Sequence, residues 1–211
     1  MANAGKQFPN FMKAPTEGVL VNDVHSQLNA TRVARVKSPR SLDELCRIVR
    51  EADAVSICGG RHAMGGQQFG AGAVVVDLSK HARIHALDAE RRLVKVDAGV
   101  RWPALMAGLH SLQTGLPPGW NIRQKQTGAD ELSLGGSLAV NAHGRGLCLP
   151  PMISDVEAFT LMDAHSEARV CSRRENTELL DSLSAATGCS ESSRMSRCGW
   201  HPDTNSDGGS R

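Results

Sequence analysis

His62 stands inside a run of small residues, Ser56-Ile-Cys-Gly-Gly-Arg-His-Ala-Met-Gly-Gly-Gln67. A strand feeding directly into consecutive main-chain amides can cradle phosphate oxygens without lysine or arginine. A plain glycine-rich turn has the same composition, and the loop alone leaves both readings open. Imidazole is a covalent-catalysis group, so His62 is either a nucleophile or a hydrogen-bonded loop histidine. A second segment, Thr127 to Gly146, contains Gly128, Ser133, Gly135, Gly136, Asn141, His143 and Gly144. Side chains this small let a flat or anionic ligand approach the main chain, or let a helix pack tightly on a sheet. His143, between Ala142 and Gly144, is compatible with a packing or turn role.

Other chemistries fail on spacing. Gly60 and Gly65 are followed by Gly66-Gln67, not by the Lys-Ser/Thr of a P-loop. No G-x-G-x-x-G opens a helix. His81 and His85 are four apart but lack the glutamate of a zinc helix. The six cysteines form no C-x-x-C pair and read as thiols.

The elements that must position these loops alternate between strand and helix. Val33–Val36 reads as a strand. Ser41 and Glu44 form a capping box before a helix over Leu42–Ala52, whose buried face is Leu42, Leu45, Ile48 and Val49. Ala54–Cys58 is an apolar strand reached by a very short connection. Gly59–Gly72 is a loop with six glycines, and Ala73–Asp77 is a second buried strand. Ile84–Leu87 and Leu93–Asp97 flank a polar turn as a hairpin. Pro103 opens a helix running to about Ser111, with Leu105, Leu109 and Leu112 as its stripe. Pro117-Pro118-Gly119 reads as a turn. Val156–Asp163 and Ala168–Ser172 form another hairpin, and Arg173–Leu180 starts a helix. Mixed strands with segregated helices indicate an α+β fold.

The chain has 211 residues, 24 Lys plus Arg, 22 Asp plus Glu and a net charge of +2. That balance argues against a nucleic-acid footprint. No apolar run approaches the ~20 residues of a transmembrane helix, and residues 1–20 read as a loose leader without a signal peptide's apolar core. The expectation is a cytoplasmic protein.

Six fragments in order carry a resemblance: SPRSLDEL, AVSICGGRHAMGGQ, VVVDLS, LVKVDAGVRW, TGADELSLGGSLAVNAHGRG and DVEAFTLMDAHSEARVCSRRENTEL. From about Val24 to Leu180 the chain resembles the PCMH-type FAD-binding domain of the vanillyl-alcohol oxidase family. It resembles the branch of sugar-lactone, alditol and decaprenylphosphoryl-ribose oxidases. The resemblance implies a flavin domain of two α+β lobes over residues 21–180, binding FAD. Gly59, Gly60, Arg61, His62, Ala63 and Met64 would wrap the pyrophosphate. Gly128, Ser133, Gly135, Gly136, Asn141, His143 and Gly144 would line the other side. Some relatives bond the flavin covalently through the histidine matching His62; others do not. The implied chemistry is hydride transfer from a small hydroxyl-bearing substrate to flavin N5. The substrate domain and base of such enzymes lie downstream.

Residues 181–211 are different in kind: rich in serine, with Leu183 the single branched aliphatic, and without a period of 2 or 3.6. A polar tail and a frameshift near Leu180 both fit. Joining the third base of each codon to the next two allows LAIGGYGLFGII, the strand-forming continuation the family shows. The expectation is an out-of-frame tail on an N-terminal fragment that folds poorly and binds FAD weakly when expressed alone.

Overall fold

The computed structural model describes residues 17–114, 119–123, 125, 128, 130–144, 148–185 and 192–202, with main chain only for 183–185 and 192–202. The Pro117-Pro118 part of the expected turn lies outside the described residues. The architecture is α+β, built on three sheets.

The first two sheets share a core. β1 (Val19–Val21) pairs antiparallel with β2 (Thr31–Val33). β3 (Arg35–Lys37) and β4 (Val55–Cys58) flank β5 (Val74–Asp77), all parallel. The strand expected over Val33–Val36 is thus split in two at Ala34, whose N–H donates to Ala73 O at 2.9 Å. Every residue of β5 is buried, as expected for a parallel strand covered on both faces. The period of two sorts them: Val74 and Val76 face α1 (Leu42–Glu51), while Val75 packs with Val21, Val33 and Cys58. Leu45 and Ile48 are the buried residues of α1, and Leu42 and Val49 pack partly buried beside them. Ser41 Oγ accepts from Glu44 N at 3.1 Å, while the Glu44 carboxylate reaches Arg40 N rather than the cap itself. Ala52 caps the helix in an extended conformation, so the short connection runs straight on toward β4.

The third sheet is antiparallel and has six strands. β6 (Ile84–Asp88) and β7 (Leu93–Val96) form the first expected hairpin. β9 (Val156–Met162) and β10 (Ala168–Ser172) form the second. β8 (Trp120–Ile122) was not legible in the sequence. Val94, Val96, Leu134, Leu138, Val156, Phe159 and Leu161 make its core with α2 (Trp102–Leu112) and α3 (Leu134–Ala139). The stripe of α2 is shifted from expectation. Trp102, Leu105 and Leu109 are buried, whereas Leu112 is 43% exposed.

The end of the chain departs from its sequence expectation. α4 begins at Thr177, later than Arg173, and runs on to Ala185. Ser192–Pro202 forms β11, seated between β9 and β7 and also pairing with β8. Side-chain period does not dictate this. A gap between two hairpins offers N–H and C=O groups on both sides, and any non-proline main chain can satisfy them. Consistent with pairing by backbone alone, the β9 register shifts around Arg197.

Among the described residues, no helix is long and apolar enough to cross a membrane, and no cluster of three or more side chains could hold a metal ion. His81 and His85 instead converge on Asp97, at 3.4 and 2.7 Å.

Candidate functional site

β4 ends at Cys58 and delivers Gly59–Met64 at the carboxyl edge of the parallel sheet. Ligands of open parallel sheets bind in the crevice outside the carboxyl ends of the strands. Among the described residues, no protein acceptor takes the main-chain N–H groups of Gly60, Arg61, His62 or Ala63. Arg61 has φ 60°, in the left-handed region. Alternation of such a residue with right-handed neighbours converges successive N–H groups into an anion-binding concavity.

The Arg61 side chain does not share that role. Its guanidinium donates to Asp77 at 2.9 Å, pinning the loop to the end of β5. Asp77 also accepts from Ser79 N at 2.9 Å. Cys58, buried beneath the loop, is pushed up to about 11 by burial and by the Asp77 charge, against the opposing pull of Arg61.

The second glycine-rich segment meets the first in space. A β-carbon on Gly59 would lie 2.2 Å from Ser133 Oγ, and one on Gly60 would lie 2.6 Å from Glu131 O. Only glycine allows this approach. Ser133 caps α3, accepting from Gly136 N at 3.3 Å. Leu134 N and Gly135 N donate to Val100 O and Ala98 O, each at 2.8 Å. These amides serve the fold, so Gly135 and Gly136 contribute clearance rather than donors. Ser137 Oγ is fully buried and has no protein partner among the described residues.

The remaining expected residues lie further along. Asn141 has φ 44° and turns the chain after α3; its side-chain oxygen accepts from Ile153 N at 3.5 Å. His143 is exposed, with Nδ1 3.1 Å from Gly144 O, and Gly144 is half-buried. Gly128 has φ 76° and open space where a side chain would stand. Ala63 and Met64 are exposed on the outer rim of the first loop. The structure therefore brings Gly59 against Ser133 and Gly60 against Glu131; Asn141 accepts from Ile153 N, and His143 lies beside Gly144 O.

Residues 22–29 buttress the first loop, a role the sequence reading missed. Val24 N donates to Arg61 O at 3.1 Å, and Asn29 Nδ2 donates to Met64 O. His25 Nε2 lies 2.9 Å from His62 Nδ1, with the rings tilted by 57°. Asp23 organises the turn, accepting from His25 N, Gln27 N and the Ser26 hydroxyl. Burial would raise the Asp23 carboxyl, but those bonds hold it below its ordinary value. Asp23-x-x-Ser26 signals a turn, yet nothing in it names the loop it supports. Burial lowers the His62 ring, and His25 and Arg101 push the same way, against Glu131. Arg101 itself is paired with Glu131 at 2.6 Å.

The site therefore offers amides without an acceptor among the described residues from one lobe, a wall of small side chains from the other, and between them an imidazole whose burial disfavours protonation. A family model described as the FAD binding domain matches residues 31–172, more than half the chain, and the protein belongs to that family.

Proposed function

We propose that the chain holds FAD across the seam between Gly59–Met64 and the Glu131–Gly136 segment, as a PCMH-type domain of the vanillyl-alcohol oxidase family. The carrying observation is the run of N–H groups at Gly60, Arg61, His62 and Ala63 that find no acceptor among the described residues, beside the seam where Gly59 leaves no room for a side chain against Ser133. The residues fit the cofactor: amides can take the pyrophosphate, and small side chains leave room for a flat ring. Gly128, Asn141, His143 and Gly144 extend that wall. When bound, FAD supplies hydride acceptance, and a small hydroxyl-bearing substrate of the sugar or alcohol type suits it.

Within this reading, His62 is the candidate for a covalent bond to the flavin. A ring-nitrogen lone pair would form a bond to a methyl carbon of the flavin. One C–H breaks, and its electron pair passes to dioxygen. Dioxygen becomes hydrogen peroxide with that proton and one more from the ring N–H or solvent. The test is the full chain incubated with FAD. Flavin absorbance at one per chain supports the binding reading, and colourless protein overturns it. Colour retained after denaturation, and lost in His62→Ala, supports the covalent bond; retention in His62→Ala places the bond elsewhere.

The serine-rich composition of residues 181–211 favours a second reading, flavin binding without turnover, with an out-of-frame tail. DNA sequence around codon 180 and several hundred bases beyond decides it. An intact frame continuing in the shifted phase supports this reading, and its absence removes it.

A further inference from the structure

The amides of Gly60–Ala63 are served by no free cation of their own loop. Arg61 is the only lysine or arginine between Ser56 and Gln67, and its guanidinium is bound to Asp77 at 2.9 Å. The opposite wall brings one. Arg101 stands at the start of α2, and its main chain bridges antiparallel to Ser133. Ser133 is the residue that leaves Gly59 no room for a side chain. Arg101 Nη1 donates to Glu131 Oε2 at 2.6 Å, and Glu131 O lies 2.6 Å from where a β-carbon on Gly60 would stand. Arg101 is thus tied, by main chain and by side chain, to the two residues that adjoin Gly59 and Gly60. A guanidinium has five N–H donors. Here Nη1 serves Glu131, while Nε and Nη2 find no acceptor among the described residues. The side chain is 44% exposed, so the fold does not enclose those donors.

Charge balance points the same way. Asp130 and Glu131 set two carboxylates at the lip of the seam, and Lys125 and Arg101 pair with them in turn. A dinucleotide's diphosphate brings further negative charge. Main-chain N–H groups answer it with partial charges, and a bare Glu131 beside it would repel it. We propose that Arg101 is a phosphate-binding residue: with Nη1 held on Glu131, its remaining N–H groups reach across the seam to the phosphate seated on the Gly60–Ala63 amides. The inference rests on that loop as the seat of the FAD diphosphate. A guanidinium is a planar fork, so one edge can hold a carboxylate while another holds a phosphate oxygen. Glu131 positions the cation, and Arg101 shields the ligand from Glu131. The Arg101 charge already acts on this loop, opposing protonation of the His62 ring.

The test is fluorescence titration of the full chain with FAD at two salt concentrations. Arg101→Gln should weaken binding about tenfold at about 50 mM salt, the low end for a hydrogen bond to a charged group, because Arg101 is 44% exposed. The loss should shrink in about 0.5 M salt, where exposed charges are screened. Glu131→Gln keeps an amide oxygen for Arg101 and removes a negative charge beside the phosphates, so FAD should bind tighter. In the Glu131→Gln background, Arg101→Gln should again weaken binding about tenfold. Wild-type affinity in Arg101→Gln at low salt overturns the proposal. So does a loss that salt leaves unchanged, which marks a structural role. A double variant that binds as tightly as Glu131→Gln alone also overturns it, because Arg101 then only neutralises Glu131. Glu131→Gln leaves Arg101 in place, so it decides even where the Arg101 variants fold poorly: weaker FAD binding there counts against the proposal. Failure of the FAD reading shows separately, as a wild-type chain that binds no flavin at either salt.

Discussion

His85 Nε2 lies 2.7 Å from the carboxylate of Asp97, a residue with no solvent exposure. His81 and Arg83 complete the cage, Arg83 through both its main-chain and side-chain nitrogens. Burial alone would raise the Asp97 carboxyl. The His85 bond, the Arg83 amide, the His81 charge and the Arg83 side chain together hold it below its ordinary value. The folded chain therefore takes up that proton at lower pH than the unfolded chain. Its stabilisation should be complete above the unfolded carboxylate range, near ~4, and should fall as pH drops through the folded value. Asp97→Asn should cost about 3 kcal/mol at neutral pH, the lower end for a broken buried pair, because Arg83 is 62% exposed. It should also flatten the acid limb of a urea-midpoint profile; a variant with the wild-type acid limb would show that Asp97 carries none of it.

Gly59→Ala should disrupt the seam. Its new carbon would fall 2.2 Å from Ser133 Oγ and 2.9 Å from Ser133 Cβ, and Ser133 is itself buried. Overpacking of this kind costs about 1–3 kcal/mol. Flavin fluorescence titration should show weakened binding. Adding Ser133→Gly removes both clashing atoms, and glycine is tolerated as a helix cap; the double variant should recover part of the affinity. No recovery would mean that the clash lies elsewhere.

The exposed and buried thiols among the described residues should separate cleanly. Cys58 is buried and pushed up to about 11, leaving about one thiolate in a thousand at about pH 8. Cys148 is exposed. Iodoacetamide followed by peptide mass spectrometry should label Cys148 first and Cys58 only on unfolding. Comparable rates would refute the burial of Cys58.

Ser41→Ala removes the hydroxyl that accepts from Glu44 N. The expected loss is about 1 kcal/mol, read as a lower urea midpoint. An unchanged midpoint would assign the capping to the Glu44 carboxylate and Arg40 N instead.

Local pattern made much of this fold legible. α1 announces itself through Ser41 and the spacing of Leu45 and Ile48, and both long hairpins show as apolar runs around polar turns. The two glycine loops were recognisable as candidates, but their meeting at Gly59 and Ser133 is a tertiary fact that no local period encodes. β8 has three residues, too few for a period to register. On α2, the buried stripe reaches back to Trp102 at the first position, while Leu112, on the same face but at the helix's last residue, lies outside. His25 escaped notice because its significance comes entirely from a loop distant in sequence. β11 escaped because its pairing depends on main-chain groups that every residue shares.

The near-contact of Gly59 with Ser133 joins elements from two different cores, the parallel sheet around β5 and the antiparallel sheet around β7 and β9. A molecule seated across that seam binds the docked lobes and not the separated ones. Its affinity then adds to the cohesion of the lobes, by about 2.7 kcal/mol at a hundredfold excess over Kd. With FAD seated as proposed, the cofactor is a fastener as well as a reagent. Its removal should speed amide exchange first along the seam, at Gly60 to Ala63, before either hydrophobic core loosens.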